Sequence, residues 1–204
     1  GELAYMATTG GDGIWVNVYE KAVGVRRCLK LPEAERPITM LGPLSRGGSA
    51  GTSIEDLTGN QITRFSCSYI RNSELTEAQK SDKLAELRGQ LEAAFAKRRL
   101  VTCGTGRTKG IRVPGIHRNH AYAVIGFDSS RDAIRLWNPH GQKFTPKGPP
   151  GLIGGYPIEN GRFEMPLADF VQVFAGLAFE TEVQKSNEKR VKSANSESVV
   201  TEKN

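Results

Sequence analysis

Apolar and polar residues follow two rhythms along this chain, and each predicts its own kind of element. Across residues 76–99 the apolar positions Leu84, Leu87, Leu91, Ala94 and Phe95 fall three, four or seven apart, with Ala94 and Phe95 adjacent, which is one stripe on an α-helix. Thr76 can cap that helix and Glu77 lies in its first turn. Gly89 in mid-helix costs about 1 kcal/mol against alanine, a loss the stripe must outweigh. Short runs of β-branched and aromatic residues predict strands at 61–70, 100–103, 120–128, 133–137, 162–165 and 177–183. In the first of these Ile62, Phe65, Cys67 and Tyr69 are imperfectly in phase. Residues 3–8 are a further candidate strand and 167–174 a short helix. The stretch 14–24 stays open: Ile14, Trp15, Val18 and Ala22 keep helical spacing with Gly24 as a C′ residue, while its β-branched residues suit a strand equally.

Between these elements, residues 30–44 carry prolines 32, 37 and 43 and read as a loop. In 47–59 the glycines allow close backbone approach, and Ser53-Ile-Glu-Asp begins a short helical turn closed by Gly59. Residues 104–118 form a glycine- and arginine-containing loop, and 142–151 an irregular one. The last stretch, 184–204, is rich in Ser, Asn, Glu and Lys, lacks aromatic residues and reads as a disordered polar tail. One domain over residues 1–183 followed by this tail is the expected organisation.

Composition narrows the function classes. The formal charge is +6, but basic residues are scattered among acids. The one tight cluster, Lys97-Arg98-Arg99, ends a predicted helix, where it complements the dipole. Nucleic acid is therefore not an expected partner, and polyanion binding ranks last among the readings. No apolar run approaches the roughly 20 residues of a membrane span, and no secretory leader pattern is visible at the start. Cys28, Cys67 and Cys103 are odd in number and lack CxxC spacing. That argues against a disulfide framework or zinc site and for a reduced, cytoplasmic setting. Neither metal nor cofactor is expected.

The chemistry concentrates in one predicted hairpin. Residues 120–128 and 133–137 are two strands joined by the turn-forming Asp128-Ser-Ser-Arg-Asp132, and Pro139 ends the second. A turn centred near Ser129 or Ser130 sets His120 opposite Asn138 to within a residue or two, with parity that permits a shared face. A histidine beside an asparagine is two-thirds of a thiol-protease triad. The imidazole is the base toward a thiol, and the amide oxygen holds the ring's other N–H. Hairpin geometry alone favours a plainer pairing: a strand histidine bonded to a carbonyl and an asparagine capping a turn.

Sequence resemblance reverses that preference. His120-Ala-Tyr, a hairpin, then Asn138-Pro-His-Gly141 resembles the histidine–asparagine half of the calpain-type cysteine protease core, with Asn119 where the family has glycine and His140 where it has tryptophan. Residues 15–23 look like the family helix Trp-x-x-Leu-Leu-Glu-Lys-Ala-Tyr, which settles that stretch as helix with Trp15 as a packing residue. Residues 47–59 resemble the Gly-Gly-Ser…Leu-Glu-Asp-Leu-Thr-Gly segment that borders the substrate cleft. The resemblance thus places Gly47, Gly48, Ser49 and His140 at substrate. Residues 160–170 resemble Asp-Gly-Glu-Phe-Trp-Met-x-x-x-Asp-Phe, with Phe163, Phe170 and Phe174 in the core.

The similarity covers roughly residues 15–180. It implies an α+β, papain-like fold: the antiparallel β-rich half with a few packing helices. It also implies His120 as general base and then general acid, Asn138 as its orienter, and a peptide or protein substrate. The family's nucleophile motif, Gln-x-x-x-Gly-Asp-Cys-Trp, is not in this chain. A cysteine-bearing N-terminal half, in the same parent chain or a separate one, is therefore an expected partner. Cys103 is nearest His120 in sequence but follows a strand, not a helix N-terminus. The family's acidic calcium positions are Phe144, Asn160 and Arg162 here, so no metal is expected in this half. His140 is smaller and wetter than the tryptophan it replaces, which weakens the shielding of the pair. The alternative function is a catalytically inactive calpain-like module that binds peptide or protein.

Overall fold

The computed structural model describes residues 15–37, 48–106 and 110–182. The candidate strand at 3–8, Gly47 and the tail 184–204 lie outside the described residues, as does the side chain of Trp15. Helix α1 (Trp15–Leu29) is followed by a short 3-10 turn, Glu33–Glu35, and by helix α2 (Ala50–Thr58). Gly24 does not end α1. It is buried inside a helix that runs five residues further, until Pro32 can stop it. The extension brings Arg26 onto Asp56 of α2 as an ion pair. Gly59 closes α2 as expected, in the left-handed conformation at φ 72°.

Strands β1 (Ile62–Ser66), β2 (Val101–Gly104), β3 (Ala121–Asp128), β4 (Ala133–Trp137), β5 (Arg162–Pro166) and β6 (Gly176–Glu180) form one antiparallel sheet in the order β1-β6-β2-β3-β4-β5. The fold is α+β, as read from the sequence. β1 stops at Ser66, short of the predicted residue 70, because Cys67 leaves the ladder to bond the Ala175 carbonyl and the chain turns through residue 70. Tyr69, one of the four apolar residues read as imperfectly in phase, is exposed.

Helix α3 (Glu77–Ala96) carries a full capping box. Thr76 Oγ1 accepts from the Gln79 N–H, and Gln79 Oε1 accepts from the Thr76 N–H at 2.9 Å. Its stripe buries Leu87, Leu91 and Ala94, with Leu84 and Phe95 packed at the margin. Gly89 faces away from the stripe, and a Cβ added there would meet nothing within 4 Å. Gly89→Ala is therefore expected to add about 1 kcal/mol, read as a melting-point rise of about 2–4 °C; a fall would contradict the open space. Helix α4 (Leu167–Val173) adds Phe170 to the same core, where it stacks on Phe174 at 4.5 Å. On the sheet's other side Gly51 of α2 lies against Ala178 and Ile62, where a side chain would collide.

The β3–β4 hairpin changes register midway. From Asp128–Ala133 to Gly126–Arg135 the partners keep one count. At Ala123–Trp137 and Val124–Leu136 the count has moved by one, because Ile125 is an unpaired bulge. Toward the turn Phe127 faces the core, whereas before the bulge Tyr122 and Val124 do. In the turn the Asp128 carboxylate accepts from the Ser130 hydroxyl at 2.7 Å and pairs with Arg131 at 2.7 Å. These partners, the hydroxyl first and the guanidinium second, hold its carboxyl well below the usual carboxylate range. A depressed pKa means the turn's contribution is present above the ordinary Asp value and lost as pH falls toward the depressed one. The Asp128 carboxyl carbon should accordingly titrate below about 3.9 by NMR, and a midpoint at that ordinary value would contradict these contacts.

Candidate active site

His120 enters β3 under close backbone control. Asn119, just before it, has φ 50°, a left-handed conformation that glycine adopts freely and asparagine tolerates. This is the physical reason asparagine can stand there. Thr105 then clamps the histidine's main chain: its N–H donates to the His120 carbonyl at 3.0 Å, and its Oγ1 accepts from the His120 N–H at 3.1 Å. Below the ring lies Tyr122, edge-on at 4.9 Å, itself seated on Phe174 and Phe163.

Asn138 leaves β4 fully buried. Its N–H donates to the Gly161 carbonyl at 2.8 Å, and Gly161 at φ 77° comes so close that a Cβ there would strike the Asn138 carbonyl. His120 Nε2 and Asn138 Oδ1 are 2.8 Å apart. They meet diagonally: continuing the Ala123–Trp137 register aligns His120 with His140 and Asn138 with Tyr122. The even parity expected for a shared face holds only because of the bulge at Ile125.

The proton positions follow from the bonding. The His140 main-chain N–H donates to Asn138 Oδ1 at 3.0 Å, so that atom must be the amide oxygen. His120 Nε2 is then the donor, and in the neutral ring Nδ1 carries the lone pair. Burial pushes the imidazole below its ordinary pKa. The Asn138 oxygen opposes that shift, and the neighbouring His140 and His117 rings add to it. Asn138 Nδ2 is buried without a partner among the described residues, so this orientation is held at a cost of about 1–3 kcal/mol.

A cleft of about 580 Å³ opens beside the histidine, lined by His120, Gly48, Ser49, Gly104, Gly176 and Arg64 among others. Two of the sequence-predicted substrate positions, Gly48 and Ser49, thus share one groove with His120. Gly47 lies outside the described residues. His140 does not line this groove; its ring sits edge-on to His120 at 4.5 Å. Two residues at the site had no sequence signal. His117 is in a loop without periodicity, yet it packs 5.6 Å from His120 and contacts Gln142. Arg64 reads as an ordinary exposed strand position, but its guanidinium donates to Ser49 Oγ at 3.3 Å.

An α+β fold with an imidazole–carboxamide pair beside a groove fits the papain-like cysteine proteinase fold. A sequence model of the calpain family cysteine proteases matches residues 1–149, and the chain belongs to that family. No curated protein matches it. Among the described residues no helix is long and apolar enough to cross a membrane.

Proposed function

We propose that this chain supplies the general base His120 and its orienter Asn138 to a calpain-like cysteine endopeptidase, and that the nucleophilic cysteine comes from an N-terminal half outside it. The observation that carries this is the 2.8 Å contact between His120 Nε2 and Asn138 Oδ1, with Nδ1 left as acceptor beside a groove. Nδ1 takes the thiol proton as the sulfur attacks the peptide carbonyl, and returns it to the leaving amine. The chain's own cysteines do not suit the nucleophile's part. Burial pushes the Cys67 thiol up to about 12 and the Cys103 thiol well above its ordinary value; Cys28 lies on α1, outside the groove lining.

The test joins the chain to a cysteine-bearing half and follows casein cleavage. Cleavage lost in His120→Ala supports the reading, and full activity in that variant ends it.

The same reading makes this half independent of calcium. Phe144 packs on Gly115 and Gly155 and pairs with Ile158, while Lys143 meets Glu159 at 3.3 Å, so the two loops hold each other directly. Among the described residues no group of three His, Cys, Asp or Glu side chains could hold a metal ion. The melting temperature of the chain is expected to be the same in millimolar calcium and in chelator. A clear rise with calcium would show a site that binds the folded form.

A further inference from the structure

The chain has three histidines in 204 residues, and the fold gathers all of them at one spot. The ring centre of His140 lies 4.5 Å from that of His120 and 6.0 Å from that of His117, and His117 and His120 are 5.6 Å apart. They reach this triangle from different parts of the chain: His117 from the loop before β3, His120 at the strand's start, His140 after β4. We propose that His140 is a positioning residue for His120. Its main-chain N–H locks the Asn138 amide, and its ring, together with that of His117, sets when His120 takes up a proton.

The first half of this role follows from the bonding. Asn138 Oδ1 accepts from both His120 Nε2 and the His140 N–H. Were the amide turned over, its NH₂ would face two donors, so the His140 N–H excludes the wrong orientation. The second half is electrostatic. Three imidazoles this close cannot all be charged without mutual repulsion, and their protons come on as a coupled set. The titratable and charged groups around His120 are His117 from the preceding loop, His140 from beyond β4 and Tyr122 on β3, with Arg64 on β1, Tyr69 after it and Cys103 on β2 lining the same groove. No carboxylate lines the groove among the described residues. No acidic side chain of the groove lining therefore favours a charge on His120. The lowered proton affinity of His120, caused first by burial and then by these two rings against the pull of Asn138, agrees with that arrangement. The result is a base that stays neutral, with Nδ1 free to accept, further into acid than a solitary histidine.

The role rests on reading His120 as the base, but the coupling is measured on the chain itself without catalysis. Because there are no other histidines, an NMR pH titration of the ring signals reports on this cluster alone. In the native chain the His120 midpoint should lie below that of an ordinary histidine, and its curve should be broader than that of a single group. His140→Phe keeps the main-chain N–H and an aromatic ring but removes the charge. It should raise the His120 midpoint by about half a unit to one unit, the size expected for charges ~4–6 Å apart in a wet site. The Asn138 side-chain amide signals should stay where they are, since their lock is main-chain. His117→Phe should raise the midpoint in the same direction. If both variants leave the His120 midpoint unmoved while the amide spectrum shows the native fold, the proposal fails. Coupling found together with no cleavage in the joined protein would instead sink the protease reading alone.

Discussion

His120→Ala, in the protein joined to its cysteine-bearing half, is expected to lower kcat by about 10²–10⁴-fold, the span a positioned general base supplies, while the melting temperature changes little. The ring is only partly buried, and its polar contact in the protein is Asn138. Asn138→Ala should fail differently. The carboxamide is fully buried and accepts from two donors, the His120 ring and the His140 main chain. Removing it strands both, a cost of about 1–3 kcal/mol for each buried donor left unpaired. It also frees the imidazole to rotate or to carry its proton on the wrong nitrogen. A fall in both kcat and melting temperature is therefore expected at position 138, against a fall in kcat alone at 120. Casein cleavage and thermal melting of the two variants check this. Equal activity in Asn138→Ala and the native protein would show that the contact does not orient the base.

The largest loss of stability is expected from Phe170→Ala. Phe170 is fully buried on α4 and lies flat on Phe174, 13° between planes, and Phe174 in turn meets the Tyr122 ring under His120. Emptying such a position costs about 3–5 kcal/mol, a large part of the roughly 5–15 kcal/mol that holds an ordinary domain together. A melting point lower by roughly 10 °C or more is the expected readout. A shift of a degree or two would mean that α4 and the sheet close over the gap.

Much of the frame was legible because its signals are local. The stripe on α3 and the hairpin strands are periodic, and Phe163, Phe170 and Phe174, placed in the core by resemblance, are buried there. The His120–Asn138 contact was legible too, though by a path only partly right. Counting back from the turn set the two opposite to within a residue or two; they meet two residues apart, on a diagonal, after an unpaired residue that the count did not include. In Val124-Ile-Gly126 only the mid-strand glycine hints at a bulge, and isoleucine is at home in any regular strand. The end of α1 was misread because a glycine near a helix end favours a stop, and only the contact of Arg26 with Asp56, far along the chain, shows why the helix goes on. His117 was invisible for the same reason. Its place is fixed by Tyr122 Oη, which accepts from the His117 N–H at 2.8 Å, and no pattern within its own loop encodes that.

The bulge at Ile125 has a bearing on any attempt to transplant this site. A hairpin carrying the same residues but paired regularly through Ile125, in the register set at the turn, would place Asn138 opposite Ala123 and turn it away from His120. The graft would keep both functional groups and lose their meeting. What a graft must carry is therefore the alignment of Tyr122 with Asn138, reached here over Asn119 to Gly141 by leaving one residue out of the ladder.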